Sequence, residues 1–207
     1  MGEKKSNALF NLIAPIYGLF YHHQKSRYAE IVESVRTEMD ISSFDTIIDV
    51  GCGTGALCSV LKDKKMQVTG IDPAIKMLNI ATSKPENKGI TFIQANALKG
   101  LPFEDKSFDL SIASYVAHGL KEEERKRMYA EMSRITRNYV IIHDYNDERS
   151  LLTSMIERLE GGDYFHFIKS AEPEMKDCVS EMKTCFSEVR VTKVDTRANW
   201  YIGRPSE

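Results

Sequence analysis

The chain has 207 residues, 42% of them hydrophobic and 28% charged, with a formal net charge of -2 at pH 7. That balance describes a globular domain with enough chain to bury a core, and it argues against a basic, nucleic-acid-coating surface. No apolar run approaches the ~20 residues that cross a bilayer.

The first 25 residues combine Phe10, Tyr17, Phe20 and Tyr21 with Pro15 and Gly18, which predicts a short or broken helical lid. Lys4-Lys5 ahead of an apolar stretch resembles an export leader only superficially. Asn11, Pro15 and Gly18 interrupt that stretch, and His22-His23-Gln24-Lys25 stands where small cleavage-site residues belong. Met1-Gly2 with Ser6 also fits the loose myristoylation pattern, which chance often meets. Tyr28, Ile31, Val32 and Val35 then fall at helical spacing and predict a helix over 26–40.

Residues 45–50 read as a first strand, followed by Gly51-Cys52-Gly53-Thr54-Gly55 and a helix over 56–64. A second strand over 67–72 ends in Asp72, and Pro73 is placed to open a helix carrying Ile75, Met77, Leu78 and Ile80. Strands follow at 89–94, 108–114 and 139–143, with a charged helix over 121–137 whose apolar stripe is Met128, Met132 and Ile135. Strand and helix alternate, and the strands are near-continuously apolar. This predicts an α/β, doubly wound, Rossmann-like three-layer sandwich around a mostly parallel sheet. Residues 188–194 and 199–202 sit too close for a parallel crossover, so they form an antiparallel pair and complete a seven-stranded sheet with an antiparallel final strand. A single domain is expected: an N-terminal helical lid (1–40), a cofactor-binding core (41–145), a helical substrate-selecting insert (146–186) and the terminal strand pair (187–207).

Three alternate glycines between a strand and a helix let a ligand approach the backbone where any Cβ would collide. In such a sheet ligands bind beyond the carboxyl ends of the strands, where strand order reverses. Asp72, about twenty residues past the loop, suits two vicinal ribose hydroxyls. Asn96 and the Ala97 N–H can read an adenine edge. A dinucleotide loop places its third glycine one residue later, and no basic residue sits in this loop. A nucleoside without phosphates is therefore the better fit.

Asp49-Val50-Gly51-Cys52-Gly53-Thr54-Gly55, Gly70-Ile71-Asp72-Pro73-Ala74 with Met77-Leu78, and Gln94-Ala95-Asn96-Ala97 occur in order, followed by Leu101-Pro102-Phe103 and Ser107-Phe108-Asp109. In this the chain resembles the class I S-adenosylmethionine-dependent methyltransferases. Phe10-Asn11-Leu12-Ile13-Ala14-Pro15-Ile16-Tyr17 is similar to the opening of the ubiquinone/menaquinone-biosynthesis C-methyltransferase group. The resemblance implies S-adenosyl-L-methionine as cofactor. Its amino-acid end would lie on Gly51, Cys52, Gly53 and Gly55, its ammonium group near Asp49 and its ribose on Asp72. Pro73, Met77, Asn96 and Ala97 would meet the adenine, Ser114 would lie near the methyl group, and Tyr17 would close the lid. Asn96 stands where many members carry Asp.

Methyl transfer from a sulfonium is a direct displacement that needs a base only for a protonated nucleophile. Candidates beyond the fourth and fifth strands are Ser114, Tyr115 and His118, then His143, Asp144 and Tyr145. His118 and Tyr115 are the expected catalytic pair. His118 could equally pack a loop, His143 reads as structural, and His22-His23 as solvated. No metal is expected, since no His/carboxylate cluster has ligand spacing. The cysteines Cys52, Cys58, Cys178 and Cys185 form no CxxC pair, which predicts a reducing, cytoplasmic setting, with Cys52 a small filler or a reactive thiol. The expected partner is a small-molecule methyl acceptor, not a nucleic acid, and the sequence leaves oligomeric state open. An NAD-dependent oxidoreductase and a non-catalytic nucleotide-binding module on the same fold are the alternatives. The region 149–186, with the aromatic run from Gly161 to Phe167, is the expected source of acceptor choice.

Overall fold

The computed structural model describes residues 3–146 and 178–206. Seven strands form one sheet in the order β3-β2-β1-β4-β5-β7-β6. They are β1 (Thr46–Val50), β2 (Gln67–Asp72), β3 (Thr91–Gln94), β4 (Phe108–Ser114), β5 (Thr136–Tyr145), β6 (Phe186–Lys193) and β7 (Ala198–Pro205). β1 through β5 pair in parallel, and β7 runs antiparallel to both β5 and β6. The connection between β6 and β7 is too short for a crossover, so β7 turns back and wedges between its neighbour in sequence and β5.

Successive side chains on a strand point to opposite faces, and here both faces are covered. Ile47, Leu110, Ile112, Ile141 and Ile202 pack with Ile31 and Val32 of α2 (Tyr21–Ser34), with Val35 just past its end, and with Leu57, Val60 and Leu61 of α3 (Ala56–Asp63). Ile48, Val50, Ala113, Val140, Ile142 and Tyr201 pack on the opposite face with Met128, Tyr129, Met132 and Ile135 of α5 (Glu122–Ile135) and Met182 of α6 (Cys178–Met182). This is why the strands read as unbroken apolar runs. The expected three-layer, mostly parallel, seven-stranded architecture is the observed one.

Several boundaries differ from expectation. α1 (Glu3–Leu19) is one helix through Pro15, held by Phe10, Ile13, Ala14 and Tyr17 against Ala74, Met77 and Ile80 of the α4 (Ile75–Ser83) region. The next helix starts and ends earlier than its apolar spacing suggests, at Tyr21 and Ser34. Pro73 lies before α4, whose N-cap is Ala74, so the proline precedes the helix instead of opening it. The charged helix stops at Ile135 because Thr136 already pairs with Phe108 in the sheet. Pairing across the sheet overrides helix propensity there.

α5 and α6 are tied by a buried ion pair. Arg125 Nε and Nη2 donate to the two Glu181 oxygens at 2.7 and 2.6 Å. Tyr129 Oη and Cys178 Sγ meet beside it at 3.1 Å. Among the described residues no helix is long and apolar enough to cross a membrane.

Candidate active site

The strand order reverses between β1 and β4, and a cavity of about 680 Å³ opens beyond their carboxyl ends. Its first half is built by the glycine loop. Gly51 and Cys52 N–H groups donate to the Ile71 carbonyl at 2.8 and 2.9 Å, which bends the loop over β2. Gly51 has φ +78°, and a Cβ there would come within 2.6 Å of Val116 Cγ2. Only glycine permits that turn against the strap that follows β4.

Asp72 joins loop to helix. Its carboxylate accepts from Gly53 N–H at 3.0 Å and from Ala74 N–H at 2.7 Å. Burial pushes its pKa up to about 6 against those two bonds. Asp49 is fully buried at the end of β1, where Cys58 Sγ donates to its Oδ2 at 3.2 Å. Its other oxygen, Oδ1, has no hydrogen-bond partner. Desolvation lifts Asp49 to about 7. A buried acceptor left open beside a ligand cavity is costly unless the ligand brings a donor.

The wall of this half includes Pro73, Met77, Asn96 and Ala97, with Tyr17 and Phe10 of α1 above. Asn96 Oδ1 accepts from Leu98 N–H at 2.9 Å, so that oxygen already caps the turn Ala97–Lys99. Cys52 lines the floor, and burial pushes its thiol up to about 11. It is a packed filler and not an activated nucleophile. Gly55 is the one expected cofactor residue outside the lining. It caps α3 at φ +76°, and a Cβ there would meet Asn87 Nδ2 at 2.7 Å and Ala81 Cβ at 3.1 Å. Its role is to let α3 pack beside α4.

The second half lies over the ends of β4 and β5. Ser114 Oγ donates to Tyr28 Oη at 3.0 Å and lies 2.9 Å from His143 Nδ1. Tyr115 follows with φ +55°, a strained conformation for a bulky residue. Its ring lies 4.7 Å from the His143 ring and 5.1 Å from Tyr145. His118 sits on the turn Ala117–Gly119, with Nδ1 at 2.9 Å from Asp144 Oδ1. The His118 backbone N–H donates to Asp144 Oδ2 at 3.2 Å, and Asp144 is fully buried. An imidazole held through Nδ1 by a buried carboxylate presents Nε2 as its basic atom.

His118, Tyr115 and Ser114 thus line the same cavity as Asp49 and Asp72. His143 stands behind that surface, 1% exposed, and burial lowers it to about 4, which fits a structural neutral ring. His22 is exposed, 3.8 Å from Glu86. Tyr28 and the Arg27–Asp195 pair, at 2.5 Å, are cavity residues that the sequence did not single out. Tyr28 reads as one more member of an apolar helical stripe, and Arg27 as a solvated charge. No group of three or more His, Cys, Asp or Glu could hold a metal among the described residues. The run from Gly161 to Phe167 lies outside the described residues.

A doubly wound sheet closed by an antiparallel seventh strand, with an acid-flanked glycine loop at the switch point, defines a nucleoside-dependent group-transfer fold. Residues 47–139 match the family described as "Methyltransferase domain". An uncharacterized protein of Methanocaldococcus jannaschii is 33% identical over 129 residues, covering 62% of this chain and 46% of that protein. The ubiquinone/menaquinone biosynthesis C-methyltransferase of Campylobacter jejuni is 31% identical over 148 residues, covering 64% of this chain and 59% of that protein. The chain therefore spans roughly half of these relatives' length. A candidate S-adenosyl-L-methionine-dependent methyltransferase of Methanococcus maripaludis superposes with TM-score 0.75 at 19% identity, covering 95% and 94% of the two chains. Magnesium protoporphyrin IX methyltransferase from Synechocystis, solved with S-adenosylhomocysteine, shares the fold at TM-score 0.62 and 17% identity, covering 89% and 84%. Residues 47–139 of this chain thus match a methyltransferase domain, and the described chain shares the fold of these S-adenosylmethionine-dependent methyltransferases. Neither these likenesses nor the loop, which lacks basic residues, supports the NAD-dependent alternative.

Proposed function

We propose that the protein transfers the methyl group of S-adenosylmethionine to a small-molecule acceptor in the cytoplasm by direct displacement. The observation that carries this reading is the unpartnered Oδ1 of buried Asp49, facing a cavity whose other anchor is Asp72. An α-ammonium group suits the first carboxylate, and vicinal ribose hydroxyls suit the second. Gly51 and Gly53 leave room for the chain between them, and Pro73, Met77, Asn96 and Ala97 enclose the base. Bound there, the cofactor supplies a methyl group already activated by positive sulfur. The protein's task is alignment and water exclusion, with α1 as a lid through Phe10 and Tyr17. His118, oriented by Asp144, accepts the acceptor's proton, and Tyr115 shapes the space beside it. Calorimetry with S-adenosylhomocysteine tests the reading: millimolar ligand should give saturable binding, and no heat would overturn it.

Burial of Asp49 has a measurable sign. Between pH 4 and its raised value of about 7 the folded protein holds a proton that the unfolded chain has lost. Stability of the ligand-free protein therefore falls as pH rises through that window. Asp49→Asn should stabilise the ligand-free protein by about 2–4 kcal/mol at pH 8, with the gain vanishing toward pH 4. Denaturant unfolding at both pH values checks this, and an equal effect at each would exclude the carboxyl as its source.

A further inference from the structure

The acceptor end of the cavity is a belt of rings with a hydrogen-bonding post at each end. From one end it runs Tyr28, His143, Tyr115, Tyr145 and His118, with consecutive ring centroids at 5.9, 4.7, 5.1 and 5.0 Å. Tyr28, Tyr115, Tyr145 and His118 line the cavity, while His143 backs the belt from beneath. Such walls favour a flat ring, through offset and edge contacts.

The two posts are chemically different. His118 is held by buried Asp144 and is the base. Tyr28 is the donor, and the hydrogen-bond chain behind it shows why. Were Tyr28 to donate to Ser114, and Ser114 to His143 Nδ1, the neutral imidazole would carry its proton on Nε2. That atom is buried without a partner. The observed direction is the reverse, with Ser114 Oγ donating to Tyr28 Oη at 3.0 Å, and it leaves a lone pair on Nε2. The residue opposite His143 on β7 is Trp200, whose indole N–H is also unpartnered and can only donate. His143 thus donates through Nδ1 to Ser114, Ser114 donates to Tyr28, and the Tyr28 proton is left to point at a ligand oxygen.

Among the described residues the charged wall does not favour an anion. Arg27 is engaged by Asp195 at 2.5 Å and by Glu30 at 2.7 Å, and among the described residues the other charges lining this end are Arg197 and Glu124. Opposite signs are mixed there.

We infer that the acceptor is a hydroxylated aromatic ring carrying a second oxygen. Its reacting hydroxyl meets His118, its plane lies along Tyr115 and Tyr145, and its other oxygen accepts from Tyr28. This rests on the methyltransferase reading above and adds the acceptor to it. The hydroxyl gives its proton to His118 Nε2, and the oxygen electron pair forms the bond to the methyl carbon. The methyl–sulfur electron pair stays on sulfur, so a methyl ether and S-adenosylhomocysteine leave. Tyr28 is a positioning residue in this step.

The test uses the full chain saturated with S-adenosylhomocysteine, and calorimetry under nitrogen with catechol, resorcinol, hydroquinone, aniline and cyclohexane-1,4-diol. At least one dihydroxybenzene should bind at millimolar concentration, and be methylated when S-adenosylmethionine replaces the product. The saturated diol should not bind. Tyr28→Phe should weaken the preferred dihydroxybenzene three- to tenfold, with S-adenosylhomocysteine affinity unchanged. Binding of the diol as tight as that of the ring compounds would overturn the inference. So would methylation of aniline alone, no binding of any dihydroxybenzene, or an unaltered affinity in Tyr28→Phe. If S-adenosylhomocysteine itself fails to bind, the methyltransferase reading falls first, which separates the two failures.

Discussion

Replacing Asp72 with alanine is expected to weaken S-adenosylhomocysteine binding about ten- to 150-fold. The variant strands ribose hydroxyls in a buried site, where hydrogen bonds to a charged group are worth ~1.5–3 kcal/mol. The same carboxylate also accepts from Gly53 and Ala74 N–H groups, so it orders the glycine loop and the start of α4 together. Asp72→Asn separates these roles, since its carbonyl keeps one acceptor while the charge is lost. Isothermal titration of both variants should rank wild type above Asn and Asn above Ala. Equal affinity in all three would mean that the ribose is held elsewhere.

The second large effect concerns His118. Removing a positioned general base lowers turnover by roughly 10²- to 10⁴-fold when the nucleophile arrives protonated. His118→Asn is the cleaner substitution, because its side-chain amide can still donate to Asp144 where Nδ1 does now, at 2.9 Å. Asp144 then keeps its partner and the turn keeps its shape. S-adenosylhomocysteine formation should drop by that factor with cofactor affinity intact, and the loss should shrink as rising pH ionises the acceptor without help. A turnover within threefold of wild type would remove His118 from the chemistry.

The parts legible in advance were those whose cause is local. Ile47 and Ile48 fall in opposite cores because a strand alternates, and their run announces a strand buried on both faces. Gly51 with Asp49 and Asp72 could be recognised from spacing along the chain, since the loop and both acids lie within two consecutive strands. Partnerships across the sheet were not legible. Asp144 orients His118 only because β4 and β5 pair in the register that sets Ser114 beside His143. Tyr28 looked like core because three of its neighbours at helical spacing are core. Its hydroxyl reaches Ser114, 86 positions away, and no periodicity reports a contact of that kind. Pro15 misled for a similar reason: α1 survives it through contacts with α4 that a helix-breaking rule does not see.

On either side of residues 147–177 the described chain is moored, at Asn146 just past β5 and at α6. The Asn146 backbone N–H donates to Arg197 O at 3.0 Å and its side chain to Thr196 O at 3.2 Å, on the turn that forms one cavity wall. At the return, Arg125 grips Glu181 and Tyr129 meets Cys178. Once two ends are fastened, the entropy of joining them rises only logarithmically with length, about 0.6 kcal/mol per doubling. Segments of different length or composition can therefore be spliced between these moorings with little penalty to the sheet. The first mooring also fixes the Asp195–Arg197 wall of the cavity to the end of β5.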